Sequence, residues 1–319
     1  MKNIFIKRLK FLIKELLHSY NYNLTFKNKK ISIKKENYNS KPEIIYKSYV
    51  PPIKLNYNYN GSIFNYKKNF LSPSFKTYFP LILDYQNKIN KKGEENNFLD
   101  LGCGYAPMAV AYLNYLKSHK EKKLNFKYLG VDINENAIEW LKSKYFDDKE
   151  FTFLFHKASL EKDYLQSKSK QVSTLIDSDG SEVQYKIPEK FTYDIQWSMS
   201  YFTHLTPISC DQVLNLIQKK GNNNSLQFNS WLICDDESKF ALEAQIANRL
   251  LPYDMGVYLT RSKENPLTAT CYKEKFINEI YKKNKLKIID IIKGTWRGSE
   301  LPNRNKNFSQ DIIISQKIN

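Results

Sequence analysis

A glycine-rich turn is the first feature of this chain whose residue types and spacing could bind a ligand. The segment Phe98–Pro107 reads FLDLGCGYAP, in which an apolar run leads into Gly102 and Gly104. Glycine lets the backbone approach a ligand closely, and the first N–H groups of a following helix are free to donate hydrogen bonds. Proline at position 107 suits the first turn of such a helix. The pattern therefore predicts a ligand-binding strand, turn and helix.

A carboxylate follows at the end of a second apolar run. The segment Tyr128–Asn134 reads YLGVDIN, so Asp132 comes directly after a predicted strand. An acid at the end of the second strand of a parallel sheet is placed to accept both hydroxyls of an adenosine ribose. Each hydrogen bond to a charged group contributes about 1.5–3 kcal/mol. The two segments together predict a nucleotide-type site.

Alternating strands and helices must position these groups, and this alternation begins at about residue 76. The predicted strands are Asn97–Leu101, Phe126–Val131, Phe151–Phe155, Tyr193–Trp197, Phe228–Cys234, Leu286–Ile292 and Gln310–Ser315. The predicted helices are Pro107–Ser118, Glu135–Tyr145, Ile208–Lys219, Lys239–Leu251 and Lys273–Lys283. The pattern is typical of an α/β fold. We expect a Rossmann-like, seven-stranded, mostly parallel sheet with helices on both faces. No long helix separates the last two strands, so the C-terminal strand should run antiparallel.

Two segments fall outside this alternation. In residues 161–190, Asp179-Gly180 lies between two short apolar runs, which predicts a hairpin insertion. Residues 1–75 predict a basic N-terminal extension, with an amphipathic helix over residues 1–18. The predicted domains are therefore the extension, 1–75, and an α/β domain, 76–319.

The net charge of +17 raises the question of nucleic-acid binding. Lys, Asn, Ile and Tyr are abundant together, which is typical of coding bias. Residues 1–50 alone hold 12 Lys and Arg against three Glu, so the charge is concentrated there. General basicity attracts anionic partners weakly without specifying one. We expect residues 1–18 to dock on the domain itself or on a partner protein. Association with a membrane surface and contact with nucleic acid are the alternatives.

Four widely spaced cysteines, with no C-x-x-C pair, predict neither a zinc site nor a disulfide framework. Reduced thiols in the cytoplasm are the simplest interpretation. No apolar run approaches the roughly 18 residues that span a bilayer. Lysines and Arg8 interrupt the apolar N-terminus, which therefore does not resemble an export signal. We expect a cytoplasmic protein, with peripheral attachment to a membrane as the alternative.

Taken together, the motifs resemble the class I S-adenosylmethionine (SAM)-dependent methyltransferases. The first two blocks are D-L-G-C-G-Y-A at 100–106 and G-V-D at 130–132. A third block, YDIQWSMSYFTHL at 193–205, resembles the fourth-strand motif of that superfamily, which ends in S-x-F-T-H-L. G-T-W-R-G at 294–298 and Q-D at 310–311 are similar to the ending of one bacterial subgroup. Members of that subgroup often accompany glycan or surface-polymer synthesis. The resemblance implies SAM as cofactor and methyl transfer to a small-molecule or glycan-type acceptor at oxygen.

The resemblance also implies a cofactor site. Its residues would be Asp100, Gly102, Cys103, Gly104, Tyr105, Asp132, Ile133, Ser159, Leu160 and Ser198. Asp100 would orient the amino group of the cofactor, Asp132 would hold the ribose, and Ile133 would lie against adenine. The family usually has an acid where this chain has Ser159. A hydroxyl accepts a hydrogen bond without the added strength of a charge.

Methyl transfer to oxygen also needs a base, and His204 is the candidate. The alternative is that His204 caps or packs the start of the next helix. Tyr201, Trp296 and Arg297 are the candidate acceptor-binding residues, and no metal site is predicted. One alternative for the glycine pattern is a turn that binds no nucleotide, but Asp132 and the third block in register disfavour it. The other is a dinucleotide-binding dehydrogenase, but Ala106 and Pro107 replace part of G-x-G-x-x-G. An RNA or protein methyltransferase and a non-catalytic SAM-binding assembly subunit stay open.

Overall fold

A computed structural model describes residues 22–27, 30–35, 51, 77–89, 96–118, 126–145, 147–156, 187–298, 301–302, 305 and 308–318. The chain divides into two compact units, Met1–Lys47 and Ser48–Asn319. In the first unit, strands β1 (Tyr22–Lys27) and β2 (Lys30–Lys35) pair antiparallel. The predicted helix over residues 1–18 and nearly all of the predicted 161–190 insertion lie outside the described residues. The predicted domain boundary after residue 75 stays a prediction.

The second unit contains the remaining described elements. Its strands are β3 (Asn96–Leu101), β4 (Phe126–Asp132), β5 (Phe151–Phe155), β6 (Tyr193–Ser198), β7 (Gly221–Trp231), β8 (Ile233–Cys234), β9 (Tyr253–Asp254), β10 (Tyr258–Thr260), β11 (Thr270–Lys273), β12 (Leu286–Ile292) and β13 (Asp311–Lys317). Its helices are α1 (Phe79–Ile89), α2 (Pro107–Ser118), α3 (Glu135–Lys144), α4 (Pro207–Lys220), α5 (Asp236–Glu243) and α6 (Glu274–Lys283). None of the helices in the described ranges has both the length and the apolar character needed to cross a membrane.

Seven strands form the main sheet, in the order β12-β13-β7-β6-β3-β4-β5. The last strand, β13, runs antiparallel to both of its neighbours, and the other neighbouring pairs are parallel. The predicted fold class is therefore confirmed. From β3 the chain builds outward through β4 to β5, then returns to place β6 on the other side of β3. Such a reversal of strand order leaves a crevice at the carboxyl ends of β3 and β6.

Helices cover both faces of this sheet, as the alternation predicts. On one face, Tyr85 of α1 packs edge-on against Phe228 with ring centroids 5.8 Å apart. On the same face, the ring centroids of Tyr112 of α2 and Phe151 are 6.1 Å apart. On the other face, α4 and α6 bury apolar side chains against the opposite set of strand residues. These helix residues are Cys210, Val213, Leu214, Ile217, Ile277, Ile280 and Tyr281. The two apolar layers hold the strand ends rigidly in place.

The region after β7 differs from its predicted form. The single strand predicted over Phe228–Cys234 is wrong, because β7 ends at Trp231 and β8 joins a separate four-stranded sheet of order β8-β11-β10-β9. The helix predicted over Lys239–Leu251 is also wrong in its limits. It begins at Asp236, because Asp235 and Ser238 cap it reciprocally. It ends at Glu243, because Gln245 adopts a left-handed φ of +58° that no α-helix continues.

Gln196 in the centre of β6 is fully buried, and both polar atoms of its amide lack a hydrogen-bond partner in the structure. Burying an amide without partners costs about 1–3 kcal/mol. We expect Gln196→Met, which keeps the length of the side chain, to raise the free energy of unfolding by about 1–2 kcal/mol. Urea denaturation measures this change. Gln316→Met on the exposed end of β13 is the control, and equal or lower stability of the Gln196 variant would contradict the expectation.

Candidate functional site

The turn after β3 places two glycines at the carboxyl edge of the sheet. Gly102 and Gly104 have φ angles of +71° and +54°, in the left-handed region that favours glycine. The N–H of Gly102 donates to the carbonyl of Val131 at 2.8 Å, which holds the turn against the end of β4. A Cβ built on Gly104 would meet no atom within 4 Å. The space beside this residue is open, so a ligand can approach the backbone.

Asp132, the last residue of β4, is in direct contact with this turn. Its Oδ2 accepts a hydrogen bond from Gly104 N at 2.6 Å, and its Oδ1 accepts one from Asn134 N at 2.8 Å. Desolvation raises the pKa of this carboxyl group, against the lowering effect of the backbone N–H groups. Each carboxylate oxygen has two lone pairs, and the side chain is only partly buried. Asp132 can therefore accept further hydrogen bonds beside the glycine turn.

Asp100 lies at the end of β3, one strand away. Its side chain is buried, at 2% exposure, and accepts a hydrogen bond from the hydroxyl of Tyr128. Burial raises the pKa of Asp100 to about 7, the Tyr128 hydrogen bond lowers it, and the charge of Asp132 raises it. A cationic group of a ligand beside Asp100 would favour the ionised carboxylate. Asp100 therefore has a protonation state that a bound ammonium group could change.

The raised pKa of Asp100 predicts a dependence of stability on pH. Unfolded Asp has a pKa of about 3.9, so between pH 4 and pH 7 the native state binds a proton that the unfolded state releases. The contribution of Asp100 to the free energy of unfolding is therefore largest near pH 4, falls as pH rises to about 7, and is constant above. In Asp100→Asn, which keeps an acceptor for Tyr128, this dependence should be absent.

Urea denaturation of both proteins from pH 4.5 to 8.5 measures the difference. We expect Asp100→Asn to gain stability relative to the native protein as pH rises to about 7. The exposed Asp147 provides the control variant Asp147→Asn, which is measured over the same pH range. A constant difference for Asp100→Asn would mean that Asp100 titrates at its ordinary pKa.

The loop after β6 folds back over the glycine turn. A Cβ built on Gly102 would lie 2.6 Å from Cδ2 of Tyr201, so only glycine lets the tyrosine ring pack there. Ser200 N donates to Ser230 Oγ at 2.6 Å, which fixes this loop against the end of β7. The third sequence block is therefore adjacent to the first, at the crevice left by the reversal of strand order.

The other predicted cofactor residues lie around this point where the structure describes them. Cys103 and Tyr105 are buried within the turn, Ser198 is buried at the end of β6, and Ile133 follows Asp132 with its side chain partly exposed. Ser159 and Leu160 lie outside the described residues. In the described ranges, no three His, Cys, Asp or Glu side chains gather as a metal site would require. The roles of the predicted cofactor residues stay predictions.

His204 ends a short 3₁₀ turn, Phe202–His204, beyond β6. Its Nδ1 lies 2.8 Å from the carbonyl oxygen of Leu267. A carbonyl oxygen only accepts hydrogen bonds, so this contact assigns the proton of the neutral ring to Nδ1 and makes Nε2 the basic nitrogen. The hydroxyl of Tyr272 donates to the carbonyl of Leu205 at 2.6 Å, which fixes the adjacent backbone. The tautomer is the one that a base requires, and a catalytic role for His204 stays a prediction.

Trp296 and Arg297, predicted to bind the acceptor, are buried at 2% and 0% exposure. Nε and Nη2 of Arg297 each donate to Asp311 at 3.0 Å, and Nη1 donates to Asp235. Trp296 Nε1 donates to Asp311 Oδ2 at 2.8 Å. The guanidinium group is therefore occupied by two internal carboxylates and has a structural role. Direct contact of either residue with an acceptor stays a prediction.

Sequence reasoning missed both of these carboxylates as partners of Arg297. Burial opposes ionisation of Asp235, but hydrogen bonds from Arg297 and from Ser238 N lower its pKa to about 2. Asp311 was recognised only as part of the Q-D pattern. An acid at the start of an otherwise apolar strand is itself a signal for a buried ion pair, and Asp311 carries that signal.

No protein-family model and no curated protein matches the chain. Solved structures similar to it include a SAM-dependent methyltransferase from Clostridium acetobutylicum, at 10% identity and a TM-score of 0.46 over 77% of this chain and 92% of that one. Magnesium protoporphyrin IX methyltransferase from Synechocystis with bound SAM has 11% identity and a TM-score of 0.45, over 89% and 100%. Geranyl diphosphate C-methyltransferase from Streptomyces coelicolor has 9% identity and a TM-score of 0.42, over 87% and 98%. These likenesses concern the architecture of the chain alone.

Proposed function

We propose that this chain is a SAM-dependent methyltransferase that methylates a small-molecule or glycan-type acceptor at oxygen. The observation that carries the proposal is the 2.6 Å hydrogen bond from Gly104 N to the carboxylate of Asp132. This contact lies at the carboxyl ends of β3 and β4, beside the crevice between β3 and β6 where the strand order reverses, and open α/β sheets bind nucleotides at such crevices. The identity of the nucleotide as SAM follows from the sequence resemblance.

The residues at this point suit the separate parts of SAM. The available lone pairs of Asp132 match two ribose hydroxyls, and the open space beside Gly104 leaves room for the ligand. The carboxyl group of Asp100 suits an ammonium group, and Ile133 offers an apolar surface for adenine. A hydroxyl-accepting acid, an ammonium-accepting acid and an apolar residue are thus combined at one edge of the sheet.

When bound, SAM supplies a methyl group on a sulfonium leaving group. The contribution of the protein is orientation and the handling of one proton. Tyr201 packs over the turn and would keep water from the reacting atoms. His204 would accept the proton of an acceptor hydroxyl on Nε2, while the hydrogen bond from Nδ1 to Leu267 O keeps the ring oriented.

Two other functions make different predictions. The net charge of +17 would suit an RNA or protein methyltransferase. However, residues 197–202 read WSMSYF and lack the N-P-P-Y type of block that many amino-group methylators use. Ser159 in place of an acid would suit a non-catalytic SAM-binding subunit. Salt-dependent binding of RNA supports the first alternative, whereas turnover of bound SAM to S-adenosylhomocysteine contradicts the second.

The first test is calorimetric titration of the purified full chain with SAM and with S-adenosylhomocysteine. We expect both to bind. The second test supplies methyl-labelled SAM and fractionated extract of the source cells, before and after treatment with ribonuclease or protease. The proposal expects label in a fraction that resists both treatments. Absence of binding heat for both nucleotides would rule out the cofactor site. Label that is lost on treatment with ribonuclease or protease would mean that the acceptor is RNA or protein, respectively.

A further inference from the structure

A cavity of about 500 Å³ lies between three segments of the chain: the one that follows α5, the connection between β10 and β11, and the connection between β12 and β13. Its apolar wall includes Leu251, Ala269 and Trp296, which belong to one small buried cluster. Its polar wall includes Arg249 and Arg261. The cavity is of the size that small-molecule sites have, and its lining combines an apolar surface with a few polar groups as such sites do.

Arg249 and Arg261 carry like charges, and both side chains are exposed. No carboxylate forms an ion pair with Arg249 or Arg261 within the part of the chain that the structure describes. Partial desolvation and the charge of Arg261 lower the pKa of Arg249. Arg297, which directly follows the lining residue Trp296, is by contrast paired with two carboxylates. Two exposed guanidinium groups of like charge at one cavity attract an external anion.

The mouth of the cavity is also apolar. Leu250, between Arg249 and the buried Leu251, is 70% exposed. Asn248 holds this segment in place, because its backbone N–H donates to Trp296 O at 2.8 Å and its side chain donates to Thr295 O at 2.7 Å. Arg249 therefore stands on a braced segment, next to the exposed Leu250.

Three hydrogen bonds connect the cavity wall to the segment after β6. Gln310, next to the lining residue Ser309, donates from Nε2 to Ser200 Oγ at 2.8 Å. The segment 267–270, which contains the lining residue Ala269, makes the other two. Leu267 O lies 2.8 Å from His204 Nδ1, and Thr270 Oγ1 donates to Phe202 O at 3.3 Å. Residues adjacent in sequence to the cavity wall therefore contact the segment that carries Tyr201 and His204.

We propose that this cavity binds the methyl acceptor, and that the acceptor is a small molecule with an oxyanion group, a phosphate or a carboxylate, held by Arg249 and Arg261. The identification of the ligand as the methyl acceptor rests on the proposed function, whereas the anion site itself does not. The apolar surfaces of Leu251 and Trp296 would hold an apolar or aromatic part of the same molecule. Neither arginine lies in any motif of the methyltransferase resemblance.

The experiment compares phenyl phosphate, benzoate and uncharged benzyl alcohol, each titrated calorimetrically into the full chain at low salt. The test variant is Arg249→Gln/Arg261→Gln. The control is Lys275→Gln/Lys282→Gln on α6, which removes the same charge from exposed positions. We expect the test variant to bind an anionic probe at least tenfold more weakly, the control to bind it within twofold of the native protein, and benzyl alcohol to bind no better than the anions. Whether phenyl phosphate or benzoate binds more tightly identifies the oxyanion.

Equal binding of the anionic probes by all three proteins, or an equal loss in the control, would overturn the anion site. Both arginines are exposed, so we expect the test variant to unfold at the native temperature; the single variant Arg261→Gln repeats the comparison if it does not. SAM is titrated into the same proteins and should bind the test variant as it binds the native chain. If the native chain does not bind SAM but its anion binding depends on the two arginines, the proposed function alone is rejected. If the native chain binds SAM but its binding of the anionic probes does not depend on the two arginines, this inference alone is rejected.

Discussion

Asp132→Ala is expected to weaken SAM binding at least about 100-fold. The carboxylate would accept hydrogen bonds from two ribose hydroxyls, each worth about 1.5–3 kcal/mol when the acceptor is charged, and 1.4 kcal/mol corresponds to a tenfold change in affinity. The variant also loses the acceptor for Gly104 N and Asn134 N, which order the turn. Calorimetric titration with SAM measures the loss.

Glu139→Ala provides the control, because Glu139 is an exposed acid on α3, the helix that follows Asp132. It should bind SAM as the native chain does. Asp132→Asn keeps one acceptor oxygen without the charge and should lie between the native chain and Asp132→Ala. Thermal unfolding of each variant separates a loss of binding from a loss of fold. Undiminished SAM binding by a folded Asp132→Ala would exclude this residue from the cofactor site.

The second large effect concerns stability. Asp311 is fully buried and accepts hydrogen bonds from Gly294 N at 2.9 Å, Ile233 N at 3.0 Å, Trp296 Nε1 at 2.8 Å and two nitrogens of Arg297. Breaking a buried ion pair by removing one partner costs about 3–5 kcal/mol, because the other charge is left buried. Asp311→Asn should therefore lower the melting temperature by roughly 6–20 °C, at about 2–4 °C per kcal/mol for a domain of this size.

Differential scanning calorimetry measures this change. Asp236→Asn is the control, since Asp236 is fully exposed and forms a surface ion pair with Lys239. Its effect should stay within about 0.5 kcal/mol. A melting temperature of Asp311→Asn within about 2 °C of the native value, under conditions where Asp236→Asn behaves as expected, would mean that Arg297 finds adequate partners without Asp311.

The meeting of Gly104 and Asp132 could be expected from the sequence, because the determinants are local. An apolar run that ends in glycine or in an acid marks the end of a buried strand. Parallel neighbours end at the same edge of a sheet, so the two segments must come together once they pair. The same reasoning gives the antiparallel C-terminal strand, since the sequence predicts no long helix for a crossover between Ile292 and Asp311.

The elements after β7 depend on contacts that no local pattern contains. The end of α5 is set by Gln245, whose left-handed backbone lets Ile246 N and Ala247 N both donate to Ala241 O. The small four-stranded sheet has strands of only two to four residues. Such strands are too short for an alternation of apolar and polar residues to be recognised in the sequence. Asp235 and Arg297 are 62 positions apart, and a separation of that length gives no sequence signal for their contact.

The place of β13 in the sheet also bears on how the protein is made. Among the strands that the structure describes, β13 lies between β7 and β12 and is the sheet neighbour of β12. Residues 311–317 must therefore leave the ribosome before β12 can join the sheet and before β7 gains its second neighbour. Until then β7 presents an unpaired edge, and such edges are templates for aggregation. Synthesis that stops before Asp311 would therefore release a chain in which five strands of the main sheet can pair but β12 has no neighbour. The edge of β7 would stay open, and such a chain would tend to associate with other nascent chains.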